Sequence, residues 1–172
     1  MPVYALGDLT PAIADDAFVH PDAVVIGDVT IGSESTIWPG AVLRGDSGPI
    51  TVGARTSIQD GSVVHTTEWA PTQIGDGCVI GHIVHLEGCI IEDDALVGSG
   101  SVVLHQAIVR SGGLVGANAV CSGGFEVPSG AMALGVPAKL RHDAVDLAMI
   151  KESAEFYRDR GHRYRRELRR ID

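Results

Sequence analysis

The chain has 172 residues, 45% of them hydrophobic, and a net charge of −9, which suits one domain with a substantial core. Residues 1–138 hold only Arg44, Arg55 and Arg110 against 15 Asp and Glu, while residues 139–172 hold 10 Lys and Arg against 7 acids, so the acidic body is a poor surface for nucleic acid. No apolar run reaches the ~20 residues of a membrane span, and the opening MPVYALGDLT lacks the layout of a signal peptide, so a cytoplasmic protein with no membrane or nucleic-acid partner is expected.

From Val19 onward one pattern dominates, with a period of six. Val19, Val25, Ile31, Ile37 and Leu43 are spaced by six, as are Val52, Ile58 and Val64, then Ile74, Ile80 and Leu86, then Ile91, Val97, Val103, Val109, Val115, Cys121 and Val127. Two residues before each rung stands a mostly small side chain, such as Ala17, Ala23, Ser35 and Ala41 early, or Cys89, Ala95, Ser101, Ala107 and Ala119 late. This hexapeptide pattern predicts a parallel β-helix of about six triangular coils, with the 22 glycines serving its corners. Interruptions of the period predict loops at Gly45 to Pro49 and at Thr66 to Thr72. Cys78, Cys89 and Cys121 form no CxxC pair and are expected as core fillers rather than as disulfides or a zinc knuckle.

The repeat domain is expected to span residues 1–137, with residues 138–172 as a helical tail packed on it. Residues Asp143 to Arg170 favour helix by propensity, with Val145, Met149, Phe156, Tyr164 and Leu168 as the expected buried positions and Gly161 as an expected interruption. Such a helix could cover the last open edge of the stack.

Numbering the rungs aligns the polar residues between coils. Arg44, His65 and Glu87 each follow a rung of the same face, so they should form one column with ~4.8 Å between members. Asp60 and His82 form a second column on the preceding face, with Gln59 beside it. His85, just before rung Leu86, should stack on Val63. Two imidazoles and a carboxylate can hold Zn²⁺ and leave a fourth position for water. His65 and Glu87 are near enough to share an ion, whereas His82 stands at another corner and would come from a neighbouring chain.

The segments LRGD (Leu43 to Asp46), IQDGSVVH (Ile58 to His65), the Ile74 to His82 segment with Gly88-Cys89 after it, and LGVPAK (Leu134 to Lys139) resemble the gamma-class carbonic anhydrase-like family of hexapeptide-repeat proteins. The resemblance implies a left-handed β-helix, a homotrimer, a zinc bound between subunits by three histidines, and an interface contact of the Arg44 and Asp60 type. His65 matches the first ligand and His82 the second. The third family histidine stands five residues after the second, which here is Glu87. Three outcomes are open: Glu87 ligates, His85 substitutes for it, or the metal is absent and Glu87 pairs with His65 or Arg44.

The resemblance also implies roles for other residues. Gln59 resembles the glutamine that orients water or bicarbonate, Glu68 matches a proton-shuttle glutamate by offset, and Tyr157 resembles a tail tyrosine near the site or else packs in the helix. Arg44 is expected to be structural, and as a cation near the ion could also hold an anionic product. Position 47, where some members carry a second acid, is Ser47. The expected function is zinc-dependent metal-hydroxide chemistry, reversible CO₂ hydration, slow because an anionic ligand makes the water less acidic. Iron or cobalt could replace zinc. The competing expectations are a metal-dependent thioester or acyl hydrolase, a hexapeptide acyltransferase, and a metal-free trimeric binding scaffold.

Overall fold

The computed structural model describes residues 2–172. Its body is a left-handed parallel β-helix of about seven turns. Along the first face the register runs Val25, Leu43, Val64, Leu86, Val103, Cys121, and these are the rungs read from the sequence. All six are buried. Each buried aliphatic side chain contributes roughly 1.5–3 kcal/mol relative to exposure, and the small residues two places before the rungs fill the corners of the same interior. Cys78, Cys89 and Cys121 lie in this core, where burial pushes the Cys78 and Cys89 thiols up to about 12.

The second face stacks Phe18, Thr36, Ser57, Val79, Leu96, Leu114 and Met132 outward. The third stacks Ala12, Thr30, Thr51, Gln73, Ile90, Ile108 and Glu126.

The two breaks in the period have different outcomes. Thr66 to Thr72 is an excursion closed by mutual bonds between Thr67 and Ala70. Gly45 to Pro49 is not a free loop: it lies inside one long strand, Val42–Val52. There four residues, Asp46 to Pro49, stand opposite the single residue Asp28 of strand Val24–Ile31, between the pairs Gly27↔Gly45 and Val29↔Ile50. The result is a wide bulge that re-aims side chains. Glycine is required at Gly45, because a Cβ there would meet the Asp28 carbonyl oxygen at 2.4 Å.

The tail also differs from expectation. The helix is Leu147–Glu167, capped by the Asp146 side chain, which accepts from the Ala148 N–H. It does not cover the end of the stack. A short strand, Lys139–Arg141, pairs antiparallel with Met132–Leu134 and occupies that edge. The helix instead runs back along the second face, with Leu147 beside Gly112 at one end and Arg165 reaching the Ala17 carbonyl at the other. Its buried residues are Ile150, Ala154 and Gly161, one stripe at helical spacing, flanked by Tyr157 on Trp38 and Tyr164 on Phe18 and Trp38. Met149, Phe156 and Leu168, expected inside, are 40%, 50% and 45% exposed. The reason is steric: the central part of this face presents the small side chains Thr36 and Ser57, so it admits small helical residues.

Gly161 does not interrupt the helix. It marks the closest approach, since a Cβ there would meet Thr36 Cγ2 at 2.5 Å. Among the described residues, no helix is long and apolar enough to cross a membrane. Gly161→Leu should therefore destabilise the fold by about 1–3 kcal/mol through overpacking, despite its better helix propensity, measured as a lower denaturation midpoint in urea. An unchanged midpoint would mean the helix does not sit this close.

Candidate metal centre

The columns predicted from the six-residue period exist. Arg44 pairs in register with His65, and His65 with Glu87. The bulge brings Asp46 into the same cluster, where it accepts from Arg44 and lies 3.1 Å from His65 Nε2. On the other side of the ring, His65 Nδ1 is 3.1 Å from Glu87 Oε1. The imidazole is thus held between two carboxylates from the coils before and after it. Thr72, fully buried, fixes the backbone beneath them: its hydroxyl donates to the His65 carbonyl at 2.5 Å and accepts from the Gly88 N–H at 2.8 Å.

Glu87 has further partners. His85 stacks on Val63 as expected, yet its Nε2 reaches Glu87 Oε2 at 3.2 Å. His105, a residue to which the sequence reading gave no role, places Nε2 3.7 Å from Glu87 Oε1 and its ring 5.1 Å from that of Trp69. Three histidines therefore surround one carboxylate. Asp46 and His105 escaped the sequence reading for related reasons. Asp46 depends on the bulge, and His105 lies one position past the column offset, its ring beside Gly88.

His82 stands apart from this cluster. Its Nδ1 lies 2.9 Å from Asp60 Oδ2 and both side chains are 48% exposed, so the second column is present as well. Within the chain, Arg44 pairs with Asp46 and Asp60 with His82. Gln59 is buried beside Asp60, and Glu68 and Trp69 are exposed at the tip of the Thr67 to Ala70 turn. Tyr157 packs against Trp38 under the helix.

The donor chemistry suits a borderline cation such as zinc, which takes imidazole nitrogen and carboxylate oxygen. A single chain gathers His65 and Glu87, and among the described residues no group of three His, Cys, Asp or Glu converges as a complete cage. One chain therefore does not complete a donor set by itself, and His82 pairs with Asp60 rather than with the His65 and Glu87 cluster.

Electrostatics favour ionised carboxylates here. Burial would raise the Glu87 pKa, but the hydrogen bonds from His65 and His85 and the nearby imidazoles outweigh it and hold it below the ordinary glutamate value. Burial likewise works against Asp46, and the Arg44 and His65 bonds bring it below the ordinary aspartate value. Both groups bind a proton less readily folded than unfolded. They add stability above the unfolded carboxylate pKa values of ~4, and that stability is lost as pH falls through the depressed folded values. In chelator-treated protein, carboxyl NMR should place the Glu87 midpoint below that of an ordinary glutamate, and Glu87→Gln should weaken the acid dependence of stability. An ordinary midpoint would contradict the pairing.

A family model for the bacterial transferase hexapeptide (six repeats) matches residues 10–45 and 71–105. Gamma carbonic anhydrase 2, mitochondrial, of Arabidopsis thaliana is 40% identical over 158 residues, 87% of this chain and 57% of its own length, so the chain spans somewhat over half of that relative. A carbonic anhydrase of Geobacillus kaustophilus is 35% identical over 165 residues, 95% of this chain and 91% of its own. Among solved structures, a Bacillus cereus protein described as a candidate acetyltransferase superposes with a TM-score of 0.94 at 33% identity, over 96% of this chain and 98% of that one. With the repeat, the columns and these relatives together, the chain belongs to the gamma carbonic anhydrase-like family of hexapeptide-repeat proteins.

Proposed function

We propose that the protein is a carbonic anhydrase-type enzyme that hydrates CO₂ reversibly, and slowly, at a zinc site shared between copies of a homotrimer. The observation that carries this reading is the in-register column placing His65 and Glu87 3.1 Å apart, in a chain with carbonic anhydrase relatives. His65 and Glu87 of one copy and His82 of another would hold the ion. Zinc held there would supply the acidification of water that CO₂ hydration needs at neutral pH.

The other roles are carried over from the family resemblance, with Asp46 added from its contact with His65. Asp46 fixes the ring orientation of His65, as outer carboxylates do for metal-bound imidazoles. Gln59, with a carboxamide that both donates and accepts, orients water or bicarbonate. The Arg44 guanidinium, held by Asp46, attracts the anionic product. Glu68 passes protons to solvent from its exposed turn. Ser47 adds no acid to that path, and the negative charge of Glu87 lowers the positive charge of the centre, so both favour a slow rate.

Ile83 supports assembly. It is 73% exposed, directly follows His82, and adopts φ 57, a left-handed conformation that costs an L-residue roughly 1–2 kcal/mol. The stacked corner of the preceding coil carries Gly61. A strained, exposed, β-branched residue gains nothing from solvent, whereas a subunit interface would bury it.

The solved-structure likeness favours a second reading, the hexapeptide acyltransferase. The acidic body, with three Arg against 15 acids in residues 1–138, is ill suited to a polyanion such as coenzyme A.

Protein purified without chelator should carry stoichiometric zinc, or iron or cobalt, and show CO₂ hydration by stopped flow. Glu87→His should raise that rate by about tenfold or more. Metal with acyl-thioester hydrolysis in place of hydration would favour the hydrolase. No metal together with retention on immobilised coenzyme A would favour the transferase, and no metal without retention a binding scaffold.

Ile83→Gly should stabilise the isolated chain by about 1 kcal/mol while shifting sedimentation at low concentration from three chain masses towards one. Unchanged assembly would remove Ile83 from the interface.

A further inference from the structure

His85 occupies an outward column otherwise made of valines: Val24, Val42, Val63, Val102 and Val120 are its register partners along the face. Residues two apart on a strand point to the same side, so His85 and Glu87 project together and the ring reaches the carboxylate at 3.2 Å. The two Glu87 oxygens thereby have different nearest partners. Oε1 lies towards His65 and Oε2 is bonded by His85.

We propose that His85 is a positioning residue: by donating from Nε2 to Glu87 Oε2 it locks the carboxylate so that Oε1 alone faces the cation beside His65. This rests on the reading of His65 and Glu87 as metal donors. The terminal torsion of a glutamate is broad and roughly two-fold, so an unheld carboxylate must be ordered when the ion binds, and it can also turn both oxygens to it. An imidazole gripping the far oxygen removes that freedom beforehand. A rigid histidine in the same place would need no such support, which ties His85 to this chain's use of glutamate.

The test is zinc affinity of the full chain by chelator competition, with the visible spectrum of the cobalt-loaded protein as a second readout. His85→Val matches the neighbours Val63 and Val102 and should leave the fold intact. It is expected to weaken zinc binding at least about tenfold, the usual scale for losing an outer-sphere partner, and to alter the cobalt spectrum. The denaturation midpoint of the metal-free protein should fall only slightly, because the lost bond is part-exposed and His65 still compensates the other Glu87 oxygen. His85→Gln, whose carboxamide can donate, should recover most of the affinity.

Parent-like zinc binding by His85→Val would overturn the proposal while leaving the metal centre standing. A parent protein that takes up no zinc or cobalt would overturn the metal reading and this inference with it. Should His85→Val fail to fold, ¹⁵N spectra of the parent imidazoles decide: a His85 ring protonated at Nε2 is required, and one protonated only at Nδ1 overturns the proposal.

Discussion

Parallel, in-register stacking of one coil on the next is the constraint from which the remaining features follow. Backbone bonds between coils repeat along each face, for example from the Val63 N–H to the Val84 carbonyl and from the His85 N–H to the Ser101 carbonyl. A slip of one residue would turn every rung outward. The interior therefore fixes the register through residues such as Leu43, Val64 and Leu86, and the outward positions inherit that register without choosing it. A polar residue at a given offset is placed by the aliphatic residue beside it.

This inheritance limits which charges can share a column. Members stand only ~4.8 Å apart, so two carboxylates in succession would repel strongly in a half-buried setting. The column here has Arg44, then His65, then Glu87, and the bulge adds Asp46 between the first two. Hydrogen-bond donors and acids alternate along the contacts Arg44–Asp46–His65–Glu87. That alternation keeps both acids ionised despite their burial and holds His65 from both sides.

Much of this was legible before any coordinates. The hexapeptide ladder specified the interior because burial leaves a strict period, and the column Arg44, His65, Glu87 and the pair Asp60, His82 follow from counting. What counting missed does not obey the period. The Asp46 to Pro49 bulge sets four residues against one, so its side chains have no offset to compare. His105 reaches Glu87 diagonally across a coil. The helix face was misread because apolar size pointed to Met149 and Phe156, while the real selection is for smallness against Thr36. Gly161 satisfies it, with the small Ala154 buried in the same stripe, while Ile150 is a large side chain buried towards the other end of the helix.

The glutamate at position 87 is best understood together with its surroundings. An imidazole there could be neutral, and burial would cost it little. A carboxylate in the same half-buried position loses hydration and must be compensated by donors or cations. His65 compensates one oxygen, His85 the other, and His105 adds a third imidazole within 3.7 Å. Neither His85 nor His105 is needed by the repeat. His85 replaces a valine in an otherwise apolar column, and His105 lies outside the ladder positions. The glutamate at this corner is accordingly ringed by three imidazoles that supply the compensation its charge requires. The chain retains nitrogen-rich chemistry at this corner while presenting an oxygen at the position facing His65.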